Sequence, residues 1–180
     1  MLSGLVFSSC VSWPKFLCRH DLEKAIHALI SSRLDYCNAL YVSVNQSSLS
    51  RLQLVQNAAA RLLTNTNRRV HITPVLNSLY WLPVLYRSDF QLLMFVFKAL
   101  NSIAPSYLSD LLTVCNPGRA LRSTNQLLLE VPRSKCKHWG DRAFSVAIPR
   151  LWNMLPAEMR FISDLIRFCC ILLLLLFFCF

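Results

Sequence analysis

The sequence is poor in glycine, with only Gly4, Gly118 and Gly140 in 180 residues. No two of them are spaced as a phosphate-binding loop or a dinucleotide fingerprint requires, which excludes chemistry built on glycine loops. Acids are scarce too: nine Asp and Glu stand against 19 Lys and Arg, a formal net charge of +10. Two-metal phosphoryl transfer needs carboxylates converging on ions about 4 Å apart. Here the two acids nearest in sequence, Asp21 and Glu23, sit at i and i+2 of a helix start and point apart. There is no G-x-S-x-G motif and no C-x-x-C pair. The eight cysteines (10, 18, 37, 115, 136, 169, 170, 179) show no regular spacing, so free buried thiols are expected rather than disulfides. Among the histidines (20, 27, 71, 138), a pair such as Cys136 and His138 lacks a second pair at zinc-site spacing. The sequence therefore implies no metal, no cofactor, no small-molecule substrate and no catalysis by this chain alone.

What is present pulls in two directions, a cationic excess and a composition that is 54% hydrophobic. Such apolar content excludes disorder as a description of the whole chain, and the length is ample for a buried core. Much of the hydropathy sits at one end, where residues 168–180 read FCCILLLLLFFCF. Without them the remainder is about half apolar, ordinary for a globular domain. As a helix the run would reach about 20 Å, short of a hydrocarbon core of roughly 30 Å. Extension back to Phe161 takes in Ser163, Asp164 and Arg167. A membrane anchor and a sticky low-complexity end are both compatible with that pattern. Residues 1–20 lack a positive n-region and their apolar stretch is broken by Ser8, Ser9 and Ser12. No secretory signal is read there, and an intracellular location in nucleus or cytoplasm is expected, with the membrane as the alternative.

Along the chain, residues 21–42 read as a helix. Leu22, Ala25, Ile26, Leu29, Ile30 and Leu34 make one apolar face, with Asp21 as the expected N-cap. A turn at 44–48 leads to a second helix over about 47–66, whose stripe is Leu49, Leu52, Val55, Ala59 and Leu62. Two helices joined by a short loop predict an antiparallel hairpin. Thr73-Pro74 then resembles an N-cap followed by Pro at the first helical position, opening a short helix to Trp81. Further helices are expected over 85–100 and from Pro105 to about Leu112. After Pro117-Gly118 the texture changes: QLLLEV (126–131) predicts a strand, and AFSVAI (143–148) a strand or a helix start.

The cations are more informative than the acids. Between Asp35 and Asp89 there is no acid, yet Arg51, Arg61, Arg68, Arg69 and Arg87 fall there. A second basic stretch holds Arg119, Arg122, Arg133, Lys135, Lys137 and Arg142, with Trp139 among them. Cations near a helix end and an aromatic-bearing loop fit phosphate contact with base stacking, and equally a solvated face of a basic protein. YWLP (80–83) and LWNMLP (151–156) each place a Trp before a helix-stopping Pro, and packing explains both.

Taken in order, several motifs are more specific than any one of them. They are SRLDYCNALY (32–41), RLQLVQNAAARLLT (51–64), HITPVLNSLYWLPV (71–84), LLMFVFKALNSIAPSYLSDLL (92–112), LRS (121–123), GDRAF (140–144) and PRLWNMLP (149–156). Together they resemble the C-terminal part of the reverse-transcriptase polyprotein of non-LTR retrotransposons, the long interspersed elements, over residues 22–160. The resemblance implies the thumb-like helical region downstream of the polymerase palm, together with the segment C-terminal to that region. The palm's catalytic aspartate pair and the upstream endonuclease have no counterpart in the sequence. Departures include Ser43 and Asn45 where the family often has Gly and Pro, Tyr80 where a His is common, and no Gly near Ser102. The pattern also fails in residues 1–20 and after Phe168, as a degenerate or truncated copy would.

The expected fold is thus mainly α: a helical hairpin plus further helices, thumb-like, then a small Pro-punctuated α+β module and a hydrophobic C-terminal segment. The expected divisions are 1–20 (outside the family pattern), 21–114 (thumb-like helices), 115–160 (basic, partly extended) and 161–180 (hydrophobic tail). The expected function is that of a non-catalytic reverse-transcriptase fragment that contacts RNA or DNA backbone through Arg61, Arg68, Arg69, Arg122, Arg133, Lys135 and Lys137. The alternative is a small membrane-associated protein held by residues 168–180.

Overall fold

A computed structural model describes residues 17–36, 38, 41, 44–115, 126–133 and 143–178. The described chain is mainly α-helical, and no strand occurs among the described residues. It divides into two compact units, residues 1–38 with 44–84 and residues 39–43 with 85–180.

In the first unit, helix α1 (Arg19–Ile26) runs through a π-helical turn (His27–Ser31) into a short α2 (Ser32–Asp35). Cys18, not Asp21, is the N-cap of α1. Its Sγ accepts from the Asp21 amide at 3.4 Å and donates to the Asp21 carboxylate at 3.0 Å, a reciprocal pairing that places Asp21 inside the first turn. The π turn changes which side chains face inward. Ser32 N–H reaches back five residues to the His27 carbonyl, so the register slips by one position. Ser31 is consequently buried, while Leu29, expected on the apolar face, is 46% exposed.

Helix α3 (Gln46–Thr64) comes next, capped by Asn45, whose Oδ1 accepts from Ser47 N–H. Its buried face is Leu49, Gln56, Ala59, Ala60 and Leu63, turned slightly from the expected stripe because Gln56 occupies the centre. Gln56 Nε2 donates to the Leu82 carbonyl at 2.8 Å, and Gln53 Oε1 accepts from Val84 N–H at 2.9 Å. Two glutamines one turn apart therefore hold the backbone on either side of Pro83, which has no N–H of its own to satisfy.

Helix α4 (Ile72–Ser78) starts two residues earlier than Thr73-Pro74 suggested. His71 caps it through Nδ1, which accepts from Thr73 N–H, and Pro74 lies in the first turn where no amide is required. Its end is a Schellman closure: Trp81 N–H donates to the Leu76 carbonyl at 2.9 Å and Tyr80 N–H to the Asn77 carbonyl at 3.0 Å. Leu22, Ile26, Ala59, Ala60, Leu63, Val75, Leu76 and Trp81 form the core of this unit.

The second unit is carried by α5 (Val84–Leu100), from residue 85 onward, and α6 (Ser106–Ser109), then α7 (Phe144–Asn153), α8 (Ala157–Arg160) and α9 (Leu165–Phe178). The expected α+β module is not found. The strand predicted at 126–131 is reduced to an isolated antiparallel bridge between Val114 and Leu129, and 144–148 is helical. The physical reason is visible in the hydrogen bonds. Asn153 gives Leu129 both bonds a neighbouring strand would supply, accepting from its N–H at 2.9 Å and donating to its carbonyl at 2.8 Å. Trp152 Nε1–H takes the Leu127 carbonyl at 3.0 Å. A helix end has replaced the second strand.

The hydrophobic tail is a core element of this unit. Phe168 is fully buried, stacked on Phe97 with ring centroids 4.4 Å apart and lying 6.0 Å from the Trp152 ring. Leu172 and Leu176 continue the same buried stripe along α9 at four-residue steps. Among the described residues, no helix is long and apolar enough to cross a membrane.

Candidate nucleic-acid interface

The cationic site begins where α3 stops. Asn65 adopts the left-handed conformation (φ 50°), and Thr66 N–H donates to the Arg61 carbonyl at 3.0 Å. That closure turns the chain back past its own last helical turn. Arg61 then reaches forward, its Nη1 donating to the Asn67 carbonyl at 2.7 Å. The same carbonyl accepts from Val70 N–H at 3.2 Å, and Asn67 Oδ1 accepts from Arg69 N–H at 3.3 Å. Asn67 is thus the organiser of a tight turn that projects Arg68 and Arg69 side by side, both exposed.

Three of the sequence-predicted residues are gathered here: Arg61, Arg68 and Arg69. Their roles differ. Arg61 is half-buried and uses one of its donors to fix the turn, whereas Arg68 and Arg69 present their guanidinium groups to solvent. Among the described residues no carboxylate pairs with either. Every acid of this unit, Asp21, Glu23 and Asp35, belongs to the α1–α2 segment, so α3, the turn and α4 carry no negative side chain. Arg133 is exposed in the second unit, on the segment held by Asn153. Arg122, Lys135 and Lys137 lie outside the described residues.

Sequence reasoning located the cations and read Asn67-Arg68-Arg69 as the end of the second helix, but not Asn67 as the organiser of the turn. The run N-T-N-R-R (65–69) is turn-rich, and the second Asn was the signal available. It read Tyr80, at the far end of α4, only as part of a packing motif. This side chain is 84% exposed and its φ is 54°, a conformation in which a bulky residue costs about 1 kcal/mol relative to glycine.

No group of three or more His, Cys, Asp or Glu side chains that could hold a metal ion occurs among the described residues. In the second unit, Glu158, Phe161, Ile162, Ser163, Asp164 and Arg167 line a depression of about 250 Å³. Asp164 already caps α9 there, its Oδ1 accepting from Ile166 N–H at 3.0 Å, and the mixed charges favour no one ligand class. Comparison with protein-family models, with curated proteins and with solved structures returned no match.

Proposed function

We propose that the chain is a non-catalytic segment of a non-LTR retrotransposon reverse-transcriptase polyprotein, its thumb-like region and the segment C-terminal to it, and that it contacts nucleic-acid backbone. The observation that carries the binding part is the turn at 65–70. It presents Arg68 and Arg69 to solvent, on a stretch of chain free of acids from residue 36 to residue 88. A guanidinium pair with no competing carboxylate suits phosphate oxygens, which accept two parallel donors. The origin rests on the ordered motifs. It is supported by Ser102, which has a φ of 57° close to where the resemblance expects a glycine. No metal, cofactor or small-molecule substrate enters the proposal.

The test is a filter-binding titration of the full chain on RNA across a salt series. Arg68→Ala/Arg69→Ala is expected to lower affinity and to reduce the slope of log K against log salt by about 1.4 on single strands, about 0.7 for each phosphate no longer neutralised. Arg61 is a poor choice for that test, because its substitution also releases the turn. An unchanged slope in the double variant rejects the proposal.

A further inference from the structure

Resting on the nucleic-acid reading above, we propose that Tyr80 is a base-stacking platform that makes the first unit selective for single-stranded nucleic acid. The fold does not account for this side chain. Position 80 is the left-handed residue of the Schellman closure of α4, where glycine is the unstrained choice. The apolar contact that accompanies such closures falls to Leu76 and Trp81, both buried in the core of the unit. Tyr80 contributes nothing to it, being 84% exposed. A bulky residue is thus held in an unfavourable conformation without compensation from burial. Single exposed aromatics are ordinary, but bulky residues at positive φ are not, and such outliers mark functional positions.

The surroundings indicate the ligand. The helix between the arginine turn and Tyr80 is seven residues, about 10 Å long, so phosphate contact at one end and a base at the other lie within a short stretch of strand. Tyr80 itself stands at a helix C-terminus, whose partial negative charge disfavours phosphate and leaves the ring face as the useful surface. Unpaired bases offer a face to stack on, whereas paired bases within a duplex do not.

The experiment uses the full chain with a short fluorescein-labelled single-stranded RNA and with the blunt duplex it forms with its complement, both by anisotropy at two salt concentrations. Tyr80→Ala and Tyr80→Gly are each expected to weaken single-strand binding about tenfold with the salt slope unchanged. Tyr80→Phe should retain wild-type affinity, and duplex affinity should not respond to any of the three. Tyr80→Gly is expected to melt about 2–4 °C above wild type, so its loss of binding cannot come from unfolding. Wild-type single-strand affinity in Tyr80→Gly, or an equal loss on duplex, overturns the inference. If Arg68→Ala/Arg69→Ala loses binding while the Tyr80 variants do not, backbone contact stands and stacking falls. If wild type does not bind, or no variant changes its binding, both fall.

Discussion

Three helices of the described chain close on a left-handed residue that is not glycine, and the three differ in what that conformation costs. Asn65 tolerates it well, whereas Ser102 and Tyr80 do not. At Ser102, Ile103 N–H donates to the Lys98 carbonyl at 2.8 Å and fixes the closure. Ser102→Gly is therefore expected to stabilise the protein by about 1 kcal/mol, read calorimetrically as a rise of about 2–4 °C. A lowered melting temperature would contradict that assignment. Asp89 is a second residue at odds with its place, since burial pushes its carboxyl up to about 6. A folded-state value above the unfolded one means that this residue's contribution is fully present below about pH 4 and is lost as pH rises through 6. Asp89→Asn should thus melt higher than wild type at neutral pH, by about 2 kcal/mol after allowance for partial exposure. The two proteins should converge at about pH 4, and a constant difference at both pH values would exclude the assignment. The strain at Ser102 was signalled only through the glycine that the resemblance expects nearby, and burial of the Asp89 carboxylate has no local signature in the sequence at all.

At the scale of elements, most helices were legible because their apolar residues recur at three- and four-residue steps. Their ends were less so. Cys18 and His71 cap helices although neither belongs to the preferred capping types, and Asp21 and Thr73, which do, fall inside the first turn. The strand expected at 126–131 failed for a reason no local pattern contains: residues 113 and 115 pair with one of its edges, and side chains of Trp152 and Asn153, more than twenty residues away, take the other. The C-terminal run shows the same limit. Its hydropathy was plain, but only packing reveals that Phe168 sits between Phe97 and Trp152. Phe168→Ala is expected to destabilise the protein by about 3–5 kcal/mol in urea unfolding, the range for removing a buried ring. A loss below about 1 kcal/mol would mean that α9 is an appendage and not part of the core.

For the whole molecule, the excess of cations over acids was legible from composition, and so was the acid-free stretch on which the candidate interface lies. The arrangement of that interface was not. Arg61, Arg68 and Arg69 looked alike in sequence, yet Arg61 ties the turn through Asn67 while the other two face solvent. A chain of net charge +10 attracts polyanions everywhere, so affinity alone does not separate a defined contact from a diffuse one. The salt dependence does. The most direct measurement is therefore RNA affinity across a salt series for wild type, Arg68→Ala/Arg69→Ala and a control pair on the first helix, Arg19→Ala/Lys24→Ala, each of which removes the same formal charge. A defined interface predicts that the slope falls by about 1.4 in the Arg68/Arg69 variant and stays at the wild-type value in the control. Equal falls in both variants would show that binding follows net charge, and would contradict an interface at residues 65–70.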